Sequence, residues 1–140
     1  MDATALVIAE FESDAREYKR QLEQAGFTAV VPSMGEDPLR AYLDTRPELV
    51  VIDLLSEDTE CSLLGSIRVG GWRNVHVPVV VVGEHNDRYL AAGASTVVRH
   101  DEAEESIPLV AVALYAERCR QLLERAREER AAPSPLRQPA

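Results

Sequence analysis

The sequence predicts an α/β fold, a three-layer sandwich with a parallel sheet at its centre, and three observations predict it. Short apolar runs recur at Ala5 to Ala9, Leu49 to Ile52 and Val79 to Val82. Each run is continuous, not alternating, as expected of strands buried on both faces of a parallel sheet. Between them lie stretches of helical periodicity with their own caps and stops. Strictly alternating strands and helices must bury the sheet under helices on both sides.

After the first strand, Ser13 is placed to cap a helix in which Ala15, Tyr18, Leu22 and Ala25 share one face, and Gly26 closes it. Phe27 to Val31 reads as the second strand. Asp37 and Pro38 supply the cap and first-turn proline of a second helix running to about Thr45. The third strand is Leu49 to Ile52. It is followed by a polar, acidic loop from Leu54 to Glu60 and a short helix near Cys61 to Arg68 that ends at Gly70 and Gly71. The fourth strand follows Pro78. Gly83 and Gly93 then stand close enough to leave a fourth helix of only one or two turns, around Asp87 to Ala92, before a fifth strand from Ser95 to Arg99.

The last helix is expected to start at Ser106, with Pro108 in its first turn, and to continue to Arg130. At about 1.5 Å per residue it spans roughly 36 Å, about twice what strands of five residues require, so its second half projects. Residues 131–140 hold three prolines and no periodicity, the composition of a disordered tail or linker. The expected organisation is a domain over 1–117, a helical extension over 118–130 and the tail over 131–140.

Composition narrows the function classes. The chain has 140 residues and a formal charge of -9, which argues against a cationic nucleic-acid binder. Hydrophobic residues make up 46%, enough for a core. No apolar run approaches the length of a membrane span and Met1 is followed directly by Asp2, so no membrane association and a cytoplasmic location are expected. Cys61 and Cys119 stand far apart with no Cys-x-x-Cys spacing, which predicts free thiols. His76, His85 and His100 lack ligand spacing. No Gly-x-Gly, Gly-Lys-Ser/Thr, Gly-x-Ser-x-Gly or His-Glu-x-x-His occurs, so a conventional enzyme is not expected.

In a parallel sheet of this kind ligands sit beyond the carboxyl ends of the strands, where this chain places Glu10, Asp53, Gly83 and His100. Four segments meet at those ends: Leu6-Val-Ile-Ala-Glu10 with a helix closing at Ala25-Gly26-Phe27, Pro47-Glu-Leu-Val-Val-Ile-Asp53, Val77-Pro-Val-Val-Val-Val82, and Ala92-Gly-Ala-Ser95. In this order and spacing they resemble the receiver domain of two-component response regulators, a bacterial signalling family, over residues 3 to about 117. The resemblance implies a flavodoxin-like five-stranded sheet of order 2-1-3-4-5 and a site that transfers a phosphoryl group to an aspartate, with Asp53 at the phosphoacceptor position.

The partners of that aspartate depart from the family pattern. Its two adjacent acids correspond to Ala9 and Glu10, its Ser or Thr to Gly83, its Lys to His100, and the aromatic residue of strand five to Val97. Phosphoryl transfer depends on preorganised charge around the equatorial oxygens. Losing both hydroxyl and ammonium costs on the order of 10⁴ in rate if single-donor losses of about 10² to 10³ combine. No cofactor is expected beyond weak Mg²⁺ at Glu10, Asp53 and the Leu55 carbonyl.

Each of these residues also has a plainer role: Asp53 and Glu10 as turn caps or remnants, His100 as a polar loop residue, Gly83 as a tight turn. The sequence therefore reads as an atypical, or pseudo-, receiver: a protein-interaction module without standard aspartate phosphorylation. Other readings stay open. They are a working phosphoacceptor with unusual partners, the amino-terminal receiver of a longer transcriptional regulator, and a small-molecule sensor using the vacated pocket. Along the last helix Val112, Tyr115, Cys119, Leu122 and Ala126 follow heptad spacing, which points to a homodimer through that helix, besides a signalling protein as partner.

Overall fold

Parity along the central strands decides which face of the sheet each side chain serves. In the computed structural model, which describes residues 3–69, 76–84 and 87–131, the elements run β1 (Thr4–Ala9), α1 (Glu12–Gln24), β2 (Thr28–Val30), α2 (Pro38–Thr45), β3 (Leu49–Asp53), α3 (Glu57–Val69), β4 (Val79–Val82), α4 (Asp87–Ala92), β5 (Thr96–Val98), a 3-10 turn (His100–Glu102) and α5 (Ala103–Ala131). All strand pairs are parallel, in the order β2-β1-β3-β4-β5. Ala5, Val7, Leu49, Val51, Val80 and Val82 face α1 and α5, where they meet Leu22, Ile107 and Ala111. Their neighbours Leu6, Ile8, Val50, Ile52, Val79 and Val81 face α2, α3 and α4, against Ala41, Leu64 and Ile67. Side chains alternate along a strand, so the continuous apolar runs fill two cores at once.

Several local expectations meet the structure directly. Asp37 Oδ1 accepts from the Leu39 amide at 3.2 Å, with Pro38 in the first turn of α2. Gly26 closes α1 at φ +102°, a conformation that disfavours a side chain. Both cysteines are free.

Other boundaries differ. Ser13 does not cap α1: Phe11, extended at φ -105° and ψ 133°, holds the cap position without a side-chain bond, and Ser13 lies inside the first turn with Glu12 and Asp14, whose charges suit the helix N-terminus. The acidic segment before Cys61 is not all loop, because α3 starts at Glu57. The last helix begins at Ala103, not Ser106, which puts Pro108 beyond its first turn. Burial of Ala103 explains the earlier start, since it draws those residues onto the core. β2 and β5 are each shorter by one residue at both ends than expected. The expected stop at Gly70 and Gly71, and the expected tail except Ala131, lie outside the described residues.

Candidate functional site

The register of the sheet sets Ala9 beside Asp53, so the carboxyl ends of β1 and β3 are level. Asp53 closes β3 with the same parity as Leu49 and Val51, which aims its carboxylate at the layer of α1 and α5. Tyr18 stands in that layer on the buried stripe Ala15, Tyr18, Leu22 of α1. Its hydroxyl donates to Asp53 Oδ2 at 2.6 Å. On the other oxygen, His100 Nε2 lies 2.9 Å from Asp53 Oδ1; an ionised carboxylate only accepts, so this ring nitrogen donates. The Asp53 residue is 7% exposed, whereas His100 faces solvent. Burial raises the Tyr18 hydroxyl well above its ordinary range and the bond to Asp53 raises it further, which keeps it a donor.

Glu10 is joined to the same strand end by its backbone, its amide donating to the Asp53 carbonyl at 2.8 Å. Its carboxylate turns to the next loop and accepts from the Leu55 amide at 3.3 Å. Gly83 sits at the end of β4 with its amide bonded to Val98 O. The place a side chain would take there is covered by Tyr89: a Cβ on Gly83 would lie 3.5 Å from the ring and the hydroxyl of Tyr89. Tyr89 of α4 thus lies against this position at ordinary contact distance. A groove of about 610 Å³ opens between α1 and the chain after β2, walled by Arg16, Lys19 and Met34 and reaching Ala9 and Glu10 of the site.

A second buried carboxyl went unrecognised in the sequence. Glu60, assigned there to a loop, is 1% exposed on α3. Its Oε2 accepts from the Leu54 amide at 3.1 Å and its Oε1 from the Tyr89 hydroxyl at 2.7 Å. Burial raises its proton affinity, and these two hydrogen bonds oppose the rise. Beside it Arg88 of α4 bonds to Glu57 at 3.2 Å and to Asp58 of α3. Spacing carried a faint sign of Glu60, which follows Ser56 and Glu57 at the start of a helical stretch; nothing in it pointed to Tyr89.

The structure thus brings Asp53 and His100 together, joins Glu10 to them through the backbone, and adds Tyr18 and Tyr89, which sequence reasoning placed on helices without a role at the site. The carboxylates of this set are taken up in hydrogen bonds within the fold. Both oxygens of Asp53 are engaged, Glu10 bonds the Leu55 amide, and among the described residues no group of three His, Cys, Asp or Glu side chains is placed to hold a metal.

No family model and no curated protein matches the sequence. Solved structures do match the fold. The receiver domain of Francisella response regulator 1452 superposes with a TM-score of 0.70 at 19% identity, covering 83% of this chain and 98% of that one. A CheY-like response regulator receiver domain from Methylobacillus flagellatus gives 0.68 at 20% identity, over 81% and 99%. The receiver domain of a sensor histidine kinase from Pseudomonas aeruginosa, which has a magnesium ion coordinated in its active-site cleft, gives 0.66 at 14% identity, over 83% and 99%. The chain has the receiver fold.

Proposed function

We propose that this chain is a pseudo-receiver of bacterial signal transduction, a protein-interaction module in which Asp53 is not a phosphoacceptor. The observation that carries the proposal is that both oxygens of the buried Asp53 carboxylate are held, one by Tyr18 and one by His100. Each oxygen keeps a second lone pair, but the charge spreading over a transferred phosphoryl group needs cations or donors in place around it. Here His100 is spent on the aspartate itself, Gly83 offers no hydroxyl, and Tyr89 occupies the space beside it. Weak magnesium binding at Glu10, Asp53 and the Leu55 carbonyl is not part of the function under this reading.

The partner surface includes α5, which runs on past the core with Leu122 and Leu123 exposed, and a second copy of the chain is the proposed occupant of that stretch. Residues 118–130 then form an interaction extension of a domain over 1–117. Among the described residues no helix is long and apolar enough to cross a membrane, and the proposed setting is the cytoplasm.

Incubating the protein with a small phosphodonor and Mg²⁺ at neutral pH tests the central point by intact mass. The expected result is no gain. A stoichiometric gain of one phosphoryl group, lost in Asp53→Asn, would overturn the proposal in favour of a working receiver.

A further inference from the structure

Asp53 joins three elements that are distant in sequence. It ends β3, its Oδ2 meets the middle of α1 through Tyr18, and its Oδ1 meets His100, the first residue of the 3-10 turn that leads into α5. Farther along, α5 is tied down by other means: Tyr115 packs edge-on against Phe27 at 5.7 Å between ring centroids, and Arg118 donates to the Glu48 carbonyl at 3.4 Å. Near the carboxyl ends of the strands Ala103 and Ile107 are buried in the core, and a polar tie through one carboxylate is added to that packing. An isolated carboxylate in that position would be costly, and it is held there by its two donors.

We propose that Asp53 is a structural strut that fixes the start of α5 to α1 through Tyr18 and His100, so that the side chain at the reactive position of the receiver fold holds the C-terminal helix in one constant setting. The inference rests on the reading that Asp53 does not accept a phosphoryl group. The two roles differ in sign. A nucleophile kept ready for reaction is held at some expense of stability, so removing its charge leaves the fold as stable or more so. Removing a strut loosens the fold: asparagine at position 53 keeps one acceptor oxygen, so one of the two donors, Tyr18 or His100, loses its partner.

A double-mutant cycle on the full chain decides between them, with Asp53→Asn, Tyr18→Phe and the pair followed by urea unfolding, and hydrogen exchange measured on each. The expected result is a lower unfolding midpoint for each single variant, and a double variant little worse than the poorer single. Exchange should rise about tenfold or more at the amides of residues 100–106 and of the middle of α1, and stay unchanged across α3. An unchanged or raised midpoint for Asp53→Asn, additive losses, or a uniform rise in exchange would each overturn the strut. Should Asp53→Asn fail to fold, Tyr18→Phe and His100→Ala carry the test: each removes one donor, and an exchange pattern at residues 100–106 matching the unsubstituted protein in both overturns the proposal. Phosphoryl uptake by the unsubstituted protein is read separately, so uptake alongside a coupled cycle would reject the pseudo-receiver while the strut stands.

Discussion

Glu60 is the residue whose chemistry is most exposed to test by pH. Burial raises its proton affinity in the folded protein, so the folded state binds a proton more readily than the unfolded chain does. Its contribution to stability is therefore fully present below the ordinary glutamate value of about 4.5 and is lost as pH rises through the raised folded value. We expect Glu60→Gln to flatten the pH dependence of unfolding above that value, so that the unsubstituted protein gains on the variant as pH falls toward 4.5. Urea unfolding of both proteins across that range measures it, and a constant difference would show that Glu60 does not titrate with folding. The pair Tyr89–Glu60 on one face of the sheet parallels Tyr18–Asp53 on the other. In both, a phenol hydroxyl makes a buried carboxylate tolerable.

At the scale of elements, the junction between α3, α4 and β5 hangs on Arg68. Its Nε and Nη2 both donate to Gly93 O, at 2.9 and 2.6 Å, while Nη1 donates to Val77 O at 2.6 Å. Gly93 turns out of α4 at φ +121°, and a Cβ there would lie 2.7 Å from Arg68 Cγ. Gly93→Ala should therefore cost about 1 to 3 kcal/mol, read as a lower urea midpoint with an unchanged slope. A loss of only a few tenths of a kcal/mol would mean that the turn relaxes freely. The short α4 was legible from the spacing of Gly83 and Gly93, because glycines punctuate turns. The start of α3 had a local signal that the sequence reading passed over: Ser56 Oγ accepts from the Thr59 amide at 3.2 Å and caps the helix that begins at Glu57. The start of α5 had none, since Ala103 joins the helix through its burial against the sheet, an effect of packing.

For the whole molecule, the open question is what covers the far half of α5. Tyr115, the second residue of the heptad spacing, packs on Phe27 within its own domain, and Arg120 pairs with Glu117 and Glu124 along the same helix. A seam between copies is thereby confined to residues from about Cys119 onward, where Leu122 and Leu123 stand exposed. Burying Leu122 contributes roughly 1.5 to 3 kcal/mol. We expect the full chain to be dimeric in light scattering and Leu122→Glu to be a folded monomer; a monomeric unsubstituted chain at high micromolar concentration would make α5 a free extension. The sequence by itself determined the alternation of strands and helices, and so the layered parallel sheet, because continuous apolar runs and helical stripes are local patterns of burial. It also placed Asp53, Glu10, Gly83 and His100 at the carboxyl ends of the strands, since that follows from where each run stops. Only the tertiary structure decided what those residues do. Tyr18 stands 35 positions from Asp53 and His100 stands 47, and hydrogen bonds across such separations follow from side-chain parity and helix packing, which no pattern local to either residue records.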